Sequence, residues 1–539
     1  MSVIRLRWLL LGVAAAILVF HSLAYNFVTD DAYISFVYAR NLAQHGELSF
    51  NLGAPVEGYT NFLWTVVLAA CMVVGIPPEF AARVLATACA LATLYVVFRA
   101  TDRALGQCSV WAVVPSLLLA LSSGFACWTS GGLETQLFTL LCAMAVDAVV
   151  EAESDAHAMP RAGVALALAA MTRPEGLLAA VAIAATRLLT NAIGRRWLTR
   201  SDLTAIAVFV IVWAPWFAWR WRYYGYPFPN TYYVKATGPW IRPGMAVQMW
   251  HNGAYYLWSW LAQTRTIFAL PVIAVGLLAV KPRTPRFALA LVCILLSSVY
   301  LLYAASVGGD FMGLHRFIMP VFVCAAWAVL LGVEWLVGRL PTTWSNKAAM
   351  VIGAALCVGF GMTQLDLTIE STRSCANRHC PNDHGIDSPA FLTVYTQDRA
   401  AIGRALAPCI NNNDFSILGG AGAQPYYANM RGIDVYGLVS DRIAHQSPRT
   451  NPRAGHTKWG DDALLASYDP TFIFSCYQIH PTPISPPLPC DVEAWKRRGY
   501  EVVTVHVREL RERGEYYSFL AKTSRNFACP IRVTPAVNR

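Results

Sequence analysis

Two acidic stretches stand close together near the amino terminus. One reads Thr29-Asp30-Asp31-Ala32-Tyr33-Ile34, and the other reads Pro55-Val56-Glu57-Gly58-Tyr59-Thr60-Asn61. A carboxylate can take the proton of an acceptor hydroxyl as a general base in group transfer. We therefore interpret Asp30 and Asp31 as candidate catalytic residues.

Later stretches add basic and further polar side chains. They are Trp128-Thr129-Ser130-Gly131-Gly132-Leu133-Glu134-Thr135, Thr172-Arg173-Pro174-Glu175-Gly176, Arg222-Tyr223-Tyr224-Gly225 with Pro229-Asn230-Thr231-Tyr232-Tyr233-Val234-Lys235, and Gly308-Gly309-Asp310-Phe311 with His315-Arg316. Cations can hold a phosphate leaving group, so no metal is strictly needed and no cofactor is predicted, although metal dependence stays open. The candidate phosphate-binding residues are Arg173, Arg222, Lys235, His315 and Arg316. The candidate substrate-positioning residues are Glu57, Tyr59, Asn61, Glu134, Glu175, Asn230, Tyr233 and Asp310.

Each of these groups also has a purely structural explanation. Asp30 can cap the helix that follows it, and Glu134 can cap a helix that starts near residue 135. The Arg173-Pro174-Glu175 stretch can be a kink with an ion pair, and Asn230 can belong to an ordinary turn. Five loops that carry the same chemistry favour a shared site over five independent coincidences.

Membrane spans are the elements that must position these loops. The chain of 539 residues is 56% hydrophobic and only 14% charged, against about 25% charged in soluble proteins, which excludes a soluble globular enzyme. Residues 1–365 hold 23 Lys+Arg and 15 Asp+Glu, about a tenth of their positions, whereas residues 366–539 hold 19 and 17, about a fifth. We predict a membrane domain over 1–365 and a soluble domain over 366–539. The basic surplus lies largely in short loops, so no nucleic-acid surface is predicted.

The apolar segments and their flanking basic residues predict eleven crossings. Single spans are expected at 8–24, 84–98, 109–126, 135–150, 203–219, 266–280, 287–306, 317–338 and 347–365. Segment 162–190 is predicted to be a helical hairpin that turns at Pro174, and segment 62–76 is predicted not to cross. With the amino terminus in the cytoplasm, the polar loops, including the first loop 25–61, and the soluble domain fall outside. The alternative for segment 8–24 is a cleaved signal peptide.

The soluble domain carries six cysteines in a predicted outer compartment. Up to three disulfides in fifteen pairings are possible among Cys375, Cys380, Cys409, Cys476, Cys490 and Cys529. Cys375 and Cys380 bracket a short loop and are the favoured pair. The alternative for that loop is a zinc site made of Cys375, His379, Cys380 and His384. Strands at 415–418, 472–474 and 501–507 and a helix at 394–407 predict a small α/β domain. Its Gly-rich run at 419–422 is weak evidence for phosphate binding.

The polar loops resemble those of a known enzyme family. Asp30-Asp31-Ala32-Tyr33-Ile34-Ser35-Phe36 and Val56-Glu57-Gly58-Tyr59-Thr60-Asn61-Phe62-Leu63-Trp64 resemble the first loop of bacterial integral-membrane glycosyltransferases of the GT-C class. Within these, the chain is most similar to lipid-linked arabinofuranosyltransferases, including those that add terminal β-1,2-arabinofuranose. The later polar stretches follow in the family's order, and Pro425-Tyr426-Tyr427, Ile433-Asp434-Val435-Tyr436-Gly437-Leu438 and Ile443-Ala444-His445 resemble its outer domain.

The resemblance implies a fold, an activity and a location. The expected enzyme is a GT-C glycosyltransferase of the bacterial inner membrane with a periplasmic domain at 366–539. It would move a sugar, arabinofuranose by resemblance, from a polyprenyl-phosphate donor to a glycan, a lipopolysaccharide or a pilin-like protein, with Asp30 as the favoured base. The alternatives are a sugar-binding receptor or scaffold and a transporter or flippase of lipid-linked sugars. The transporter predicts charges at the middle of the bilayer, where the predicted spans have almost none.

Overall fold

The computed structural model describes residues 2–106, 108–235, 243–373, 385–511 and 513–533, with the side chains of 243 and 342–350 left out. The membrane part contains α1 (Val3–Leu23), α2 (Asp30–His45), α3 (Phe62–Val73), α4 (Pro78–Leu105), α5 (Val114–Leu121), α6 (Ser123–Cys127), α7 (Thr135–Glu151), α8 (Met159–Thr172), α9 (Gly176–Ile193), α10 (Arg200–Tyr224), α11 (Asn230–Lys235), α12 (Pro243–Gln263), α13 (Leu270–Leu278), α14 (Pro285–Ser306), α15 (Met319–Val337) and α16 (Thr342–Arg373).

Helix α4 shows how the two ends of the helical part differ. Its 28 residues correspond to about 42 Å, which exceeds the roughly 30 Å hydrocarbon core of a bilayer. At its start Glu79 accepts a hydrogen bond from Tyr427 of the carboxy-terminal domain at 2.9 Å. At its end Arg103 forms ion pairs with Asp147 and Glu151 of α7. The carboxy-terminal domain therefore lies against one end of the helices, and an ion-pair cluster lies at the other.

Seven helices in the described part are long and apolar enough to cross a membrane, or eight if the bent pair α12 and α13 counts as one span. Helix α12 was not among the predicted spans, because polar residues such as Gln248, His251 and Asn252 interrupt its apolar sequence. Helices α3, α7 and α8 have 12, 17 and 14 residues, fewer than the roughly 20 that a transmembrane helix usually needs, and are not counted among the seven. The count of eleven crossings stays a prediction.

Two local expectations agree with the structure. The 162–190 segment is broken at Arg173-Pro174-Glu175 into α8 and α9, as predicted. Helix α3 spans about 18 Å, too short to cross, which agrees with its assignment as a non-crossing segment. Helix α15 is the most enclosed of the seven long helices, because most of its residues are buried, so it forms the centre of the bundle.

The carboxy-terminal domain is a small mixed α/β domain, here called the sheet domain. Its helices are α17 (Pro389–Leu406), α18 (Ala423–Ala428), α19 (Asp441–Gln446), α20 (Asp462–Ala466) and α21 (Val492–Arg497), and its strands are β1 (Phe415–Leu418), β2 (Arg431–Asp434), β3 (Phe472–His480), β4 (Tyr500–His506) and β5 (Tyr516–Lys522). The strand order is β2-β1-β3-β5-β4, with β1 parallel to β2 and β3, and β5 antiparallel to β3 and β4. The predicted strands and helix are all present, whereas β2 and β5 were not predicted.

Disulfides hold the sheet domain together in two places. Cys409 bonds to Cys529 across 120 residues, and Cys476 bonds to Cys490 across 14. Cys375 and Cys380, together with the alternative zinc ligands, lie outside the described residues. The boundary predicted between 365 and 366 falls inside α16, which continues to Arg373.

Candidate active site

The first turn of α2 places its two aspartates in different surroundings. Thr29 is the residue that precedes the helix, so Asp30 is not its N-cap, and both carboxylates lie near the positive end of the helix dipole. Consecutive helical residues are about 100° apart around the axis. The Asp31 side chain lines a cavity, whereas the Asp30 carboxylate accepts a hydrogen bond from the backbone N–H of Ala423 in the sheet domain at 2.8 Å.

The main cavity has a volume of about 330 Å³ and lies between the helical part and the sheet domain. This volume is within the range of small-molecule sites. The sheet domain contributes Leu438, Ala454 and Gly455 to its wall. Among the described residues the charged groups in the wall are Asp31, Glu134, Arg173, Glu175, Lys235, Asp310 and Arg316.

The cations of the main cavity differ in how they are paired. Arg173 lies 3.4 Å from Glu134 and 3.3 Å from Glu175, and Arg316 donates from Nε to Asp310 at 2.6 Å. Lys235 forms no ion pair or hydrogen bond with the described residues. It is therefore the cation most available to an incoming anion.

The charge of Asp31 depends on the same groups. Burial raises the pKa of the Asp31 carboxyl above its usual range, while Lys235 and Arg316 act to lower it. Asp310 and Glu134 raise it again, because they are negative themselves. Such competing influences are typical of a group that exchanges protons during a reaction.

The Asp30 carboxyl is held by the sheet domain. Burial is the largest influence on its pKa, which rises to about 6 against the lowering effect of the bond from Ala423. Arg399, which lies over the rings of Tyr395 and Tyr477, attracts the same carboxylate. Gly422 sits so close that an added Cβ would be 2.2 Å from the Asp30 backbone oxygen. Gly420 and Gly422 of the Gly-rich run thus lie against Asp30.

A hydrogen-bond chain fixes the carboxylate of Glu134. Asn61 donates to Glu134 at 2.8 Å, and the Asn61 oxygen accepts from Ser35 at 3.0 Å and Thr65 at 3.1 Å. Glu134 occupies the N-cap position of α7, as its structural explanation expects, but its side chain makes no capping hydrogen bond to that helix. Glu175 is the second carboxylate paired with Arg173. Tyr303 donates a hydrogen bond to it at 3.0 Å and so fixes its position.

Nine of the sequence-predicted site residues line the main cavity. They are Asp31, Tyr59, Asn61, Glu134, Arg173, Glu175, Lys235, Asp310 and Arg316. Loops that are separated by up to 285 residues in the chain therefore meet at one place, as expected from their shared chemistry.

The other six predicted residues do not line it, and most have structural partners instead. Glu57 pairs with Arg220 of α10 at 2.6 Å, and Asn230 donates to Asp441 at 2.9 Å. The Tyr233 ring lies 4.1 Å from that of His445. His315 shares a 2.9 Å hydrogen bond with Ser259, Arg222 is exposed, and Asp30 contacts the sheet domain as described above.

Arg220 and Tyr303 are the residues that sequence reasoning missed. Arg220 is a charged residue near the end of an apolar 25-residue helix, and it is only 4% exposed. Its place at the end of a long apolar run was the available signal, since such charges are costly near lipid and need a partner. Burial raises the pKa of Glu57 to about 7, against the lowering effect of the Arg220 guanidinium. Tyr303 gave no signal, because tyrosine is common at the ends of membrane helices.

No group of three His, Cys, Asp or Glu side chains in the described part of the chain could hold a metal ion. No protein-family model matches the sequence, and no curated protein matches it.

Solved structures share the fold. ArnT from Cupriavidus metallidurans in the apo state has a TM-score of 0.54 at 13% identity, over 96% of this chain and 98% of ArnT. ArnT from the same organism bound to undecaprenyl phosphate has a TM-score of 0.52 at 14% identity, over 79% and 85%. The chain has the GT-C fold. Because the first match covers nearly all of both chains, the GT-C fold includes the sheet domain as well as the membrane helices.

Proposed function

We propose that the protein is a GT-C glycosyltransferase that moves a sugar from a polyprenyl-phosphate donor to an acceptor hydroxyl. The observation that carries this proposal is a cavity lined both by Asp31 and by Lys235, a cation without an ion-pair partner in the described part of the chain. A base and a phosphate-binding cation are the two groups that the transfer needs. The similarity in fold to an ArnT that was crystallised with undecaprenyl phosphate supports a lipid-linked donor.

In the transfer, the acceptor oxygen forms a new bond to the anomeric carbon of the sugar. The bond from that carbon to the phosphate oxygen breaks, and polyprenyl phosphate leaves with the bonding electrons. Asp31 receives the proton of the acceptor hydroxyl, while Lys235 and Arg316 bind the negative leaving group. This assignment moves the base from Asp30 to Asp31, because Asp31 faces the cavity and Asp30 accepts from Ala423.

The location and the sugar form part of the same proposal. The cavity would open at the outer face of the bacterial inner membrane, with the sheet domain in the periplasm, as the distribution of basic loops predicts. Arabinofuranose as the sugar is supported by the resemblance of the stretches at 30–36 and 56–64 to arabinofuranosyltransferases. The acceptor would be a surface glycan, a lipopolysaccharide or a pilin-like protein.

The experiment uses the full chain in nanodiscs with decaprenyl-phosphoryl-arabinose and an octyl arabinofuranosyl disaccharide. We expect decaprenyl phosphate to be released and a longer glycoside to appear. A transporter or flippase would leave the donor chemically intact. Asp31→Asn should lower kcat by about 100-fold or more, which is typical of a lost general base.

Asp30→Asn is the matched control, because it removes a charge from the same helical turn. Its amide oxygen can still accept from the Ala423 N–H, so the turn should stay in place. We expect less than about a tenfold loss, well below that of a lost general base. A larger loss in Asp30→Asn than in Asp31→Asn would return the base to Asp30 and refute the assignment of Asp31.

A further inference from the structure

A second cavity adjoins the main cavity. Its volume is about 290 Å³, and the two cavities share Asp310 and Ala454 in their walls. Helix α12 forms one side of it, and the segment 451–454 of the sheet domain forms another. A molecule in the second cavity would therefore have its end next to the groups that we assign to the transfer.

The wall of the second cavity is rich in uncharged polar groups. Gln248, Asn252 and Asn451 contribute side-chain amides, and Tyr255 contributes a ring. An amide offers both hydrogen-bond donors and acceptors, as a sugar hydroxyl does. Aromatic rings add flat apolar contact area with a polar edge. This combination fits a carbohydrate better than an alkyl chain.

The ionised groups in this wall are already paired. Asp310 accepts from Arg316 at 2.6 Å, and Arg453 donates to Asp387 at 2.9 Å. Within the described part of the wall there is thus no counterpart to Lys235 of the main cavity. An anionic ligand here would have to compete with Asp387 for the Arg453 guanidinium, which is less favourable than binding to Lys235, for which no ion pair is found in the described part of the chain.

We infer that the second cavity is the acceptor subsite and that the acceptor is a neutral carbohydrate chain. This inference rests on the proposed function and narrows its acceptor to uncharged glycans. The non-reducing end would pass Asp310 into the main cavity, where its hydroxyl gives a proton to Asp31 and bonds to the anomeric carbon of the donor. Polyprenyl phosphate is released in the same step, so the two cavities separate the negative product from the neutral one.

Binding is tested first, without turnover, by saturation-transfer NMR on the full chain in nanodiscs. The probes are an octyl arabinofuranosyl disaccharide and the matching glycoside that ends in a uronic acid. We expect a signal for the neutral probe, a weaker one for the acid, and about tenfold weaker neutral binding to Asn252→Ala, as one lost hydrogen bond predicts. Gln263→Ala, an exposed position on the same helix, is the matched control and should bind like the wild type.

A second binding measurement uses a variant that adds a positive charge to the wall. Gln248→Lys places an unpaired cation in the wall, so it should bind the acidic glycoside more tightly than the wild type does. Equal binding of the neutral probe to the wild type and Asn252→Ala, or a wild-type preference for the acid, would overturn the subsite. Failure of the proposed function looks different, because the donor would then stay intact while the neutral probe still binds.

Discussion

The contact between Gly422 and Asp30 predicts that a single methyl group added to the sheet domain strongly reduces activity. In Gly422→Ala the new Cβ would lie 2.2 Å from the Asp30 backbone oxygen and 2.3 Å from its carboxyl carbon. An ordinary contact needs at least about 3.4 Å, so the loop and the first turn of α2 must separate by about 1.2 Å. A displacement of about 1 Å in a reacting group costs about 100-fold in rate. We expect kcat/KM to fall by about that factor.

Two other glycines of the same loop serve as controls, because a Cβ at either position would meet less crowding than at Gly422. A Cβ on Gly419 would lie 3.4 Å from its nearest neighbours, Phe474 and Ser475, and touches nothing of α2. A Cβ on Gly420 would lie 3.3 Å from the Asp30 carboxylate, which needs only a small adjustment. Release of decaprenyl phosphate should therefore fall slightly in Gly420→Ala and stay within about threefold of wild type in Gly419→Ala.

Stability must be measured beside activity, because overpacking also costs about 1–3 kcal/mol. Scanning fluorimetry of each variant in detergent shows whether the protein is folded at the assay temperature. If Gly422→Ala is folded and its kcat/KM equals that of Gly419→Ala, the sheet domain does not position the catalytic turn, and the reasoning is refuted.

Three further predictions concern the pKa of Asp31, the buried ion pair and a disulfide. Lys235→Met removes a cation that lowers the pKa of Asp31, so the acidic limb of the kcat profile should move to higher pH; a limb that stays or moves down contradicts this. Glu57→Ala leaves Arg220 buried without its partner and should destabilise by about 3–5 kcal/mol, seen as a lower melting temperature, and adding Arg220→Met should restore much of it. Replacing both cysteines of Cys409–Cys529 should lower the melting temperature by the equivalent of about 4–5 kcal/mol, as expected for a closed loop of about 120 residues; an unchanged melting temperature contradicts this.

The charged wall of the main cavity could be predicted because its members lie in loops at helix ends. Asp31, Glu134, Arg173 and Arg316 are polar residues beside apolar segments, and the sequence rules for topology place such loops on one side. Their convergence required no knowledge of packing. It needed only the expectation that charges near lipid are kept for a reason.

The choice between the two aspartates could not be predicted in this way. Asp30 and Asp31 are adjacent and chemically identical, and the partner that distinguishes them, Ala423, lies 393 residues further along the chain. The pairing of Glu57 with Arg220 could not be predicted for the same reason, since it joins residues 163 positions apart. Such contacts follow from tertiary packing, which local pattern and composition do not encode.

Helix α12 was not predicted as a span because of its own local sequence. The amides that interrupt its apolar sequence, Gln248 and Asn252, lower its hydropathy below that of a typical span. Those same residues face the second cavity. The residues that hid the helix from a hydropathy argument are therefore the ones that line this cavity.

The hydrogen bond from the Ala423 N–H to Asp30 also means that the first turn of α2 is completed late in biosynthesis. At about 5–20 residues per second, the ribosome needs roughly 20–80 s to travel the 393 residues from Asp30 to its partner. Throughout that interval the membrane helices can insert and pack, but the turn that carries Asp31 lacks the contact that orders it. A chain that is truncated, or whose last domain fails to fold, would remain in the membrane without a completed site.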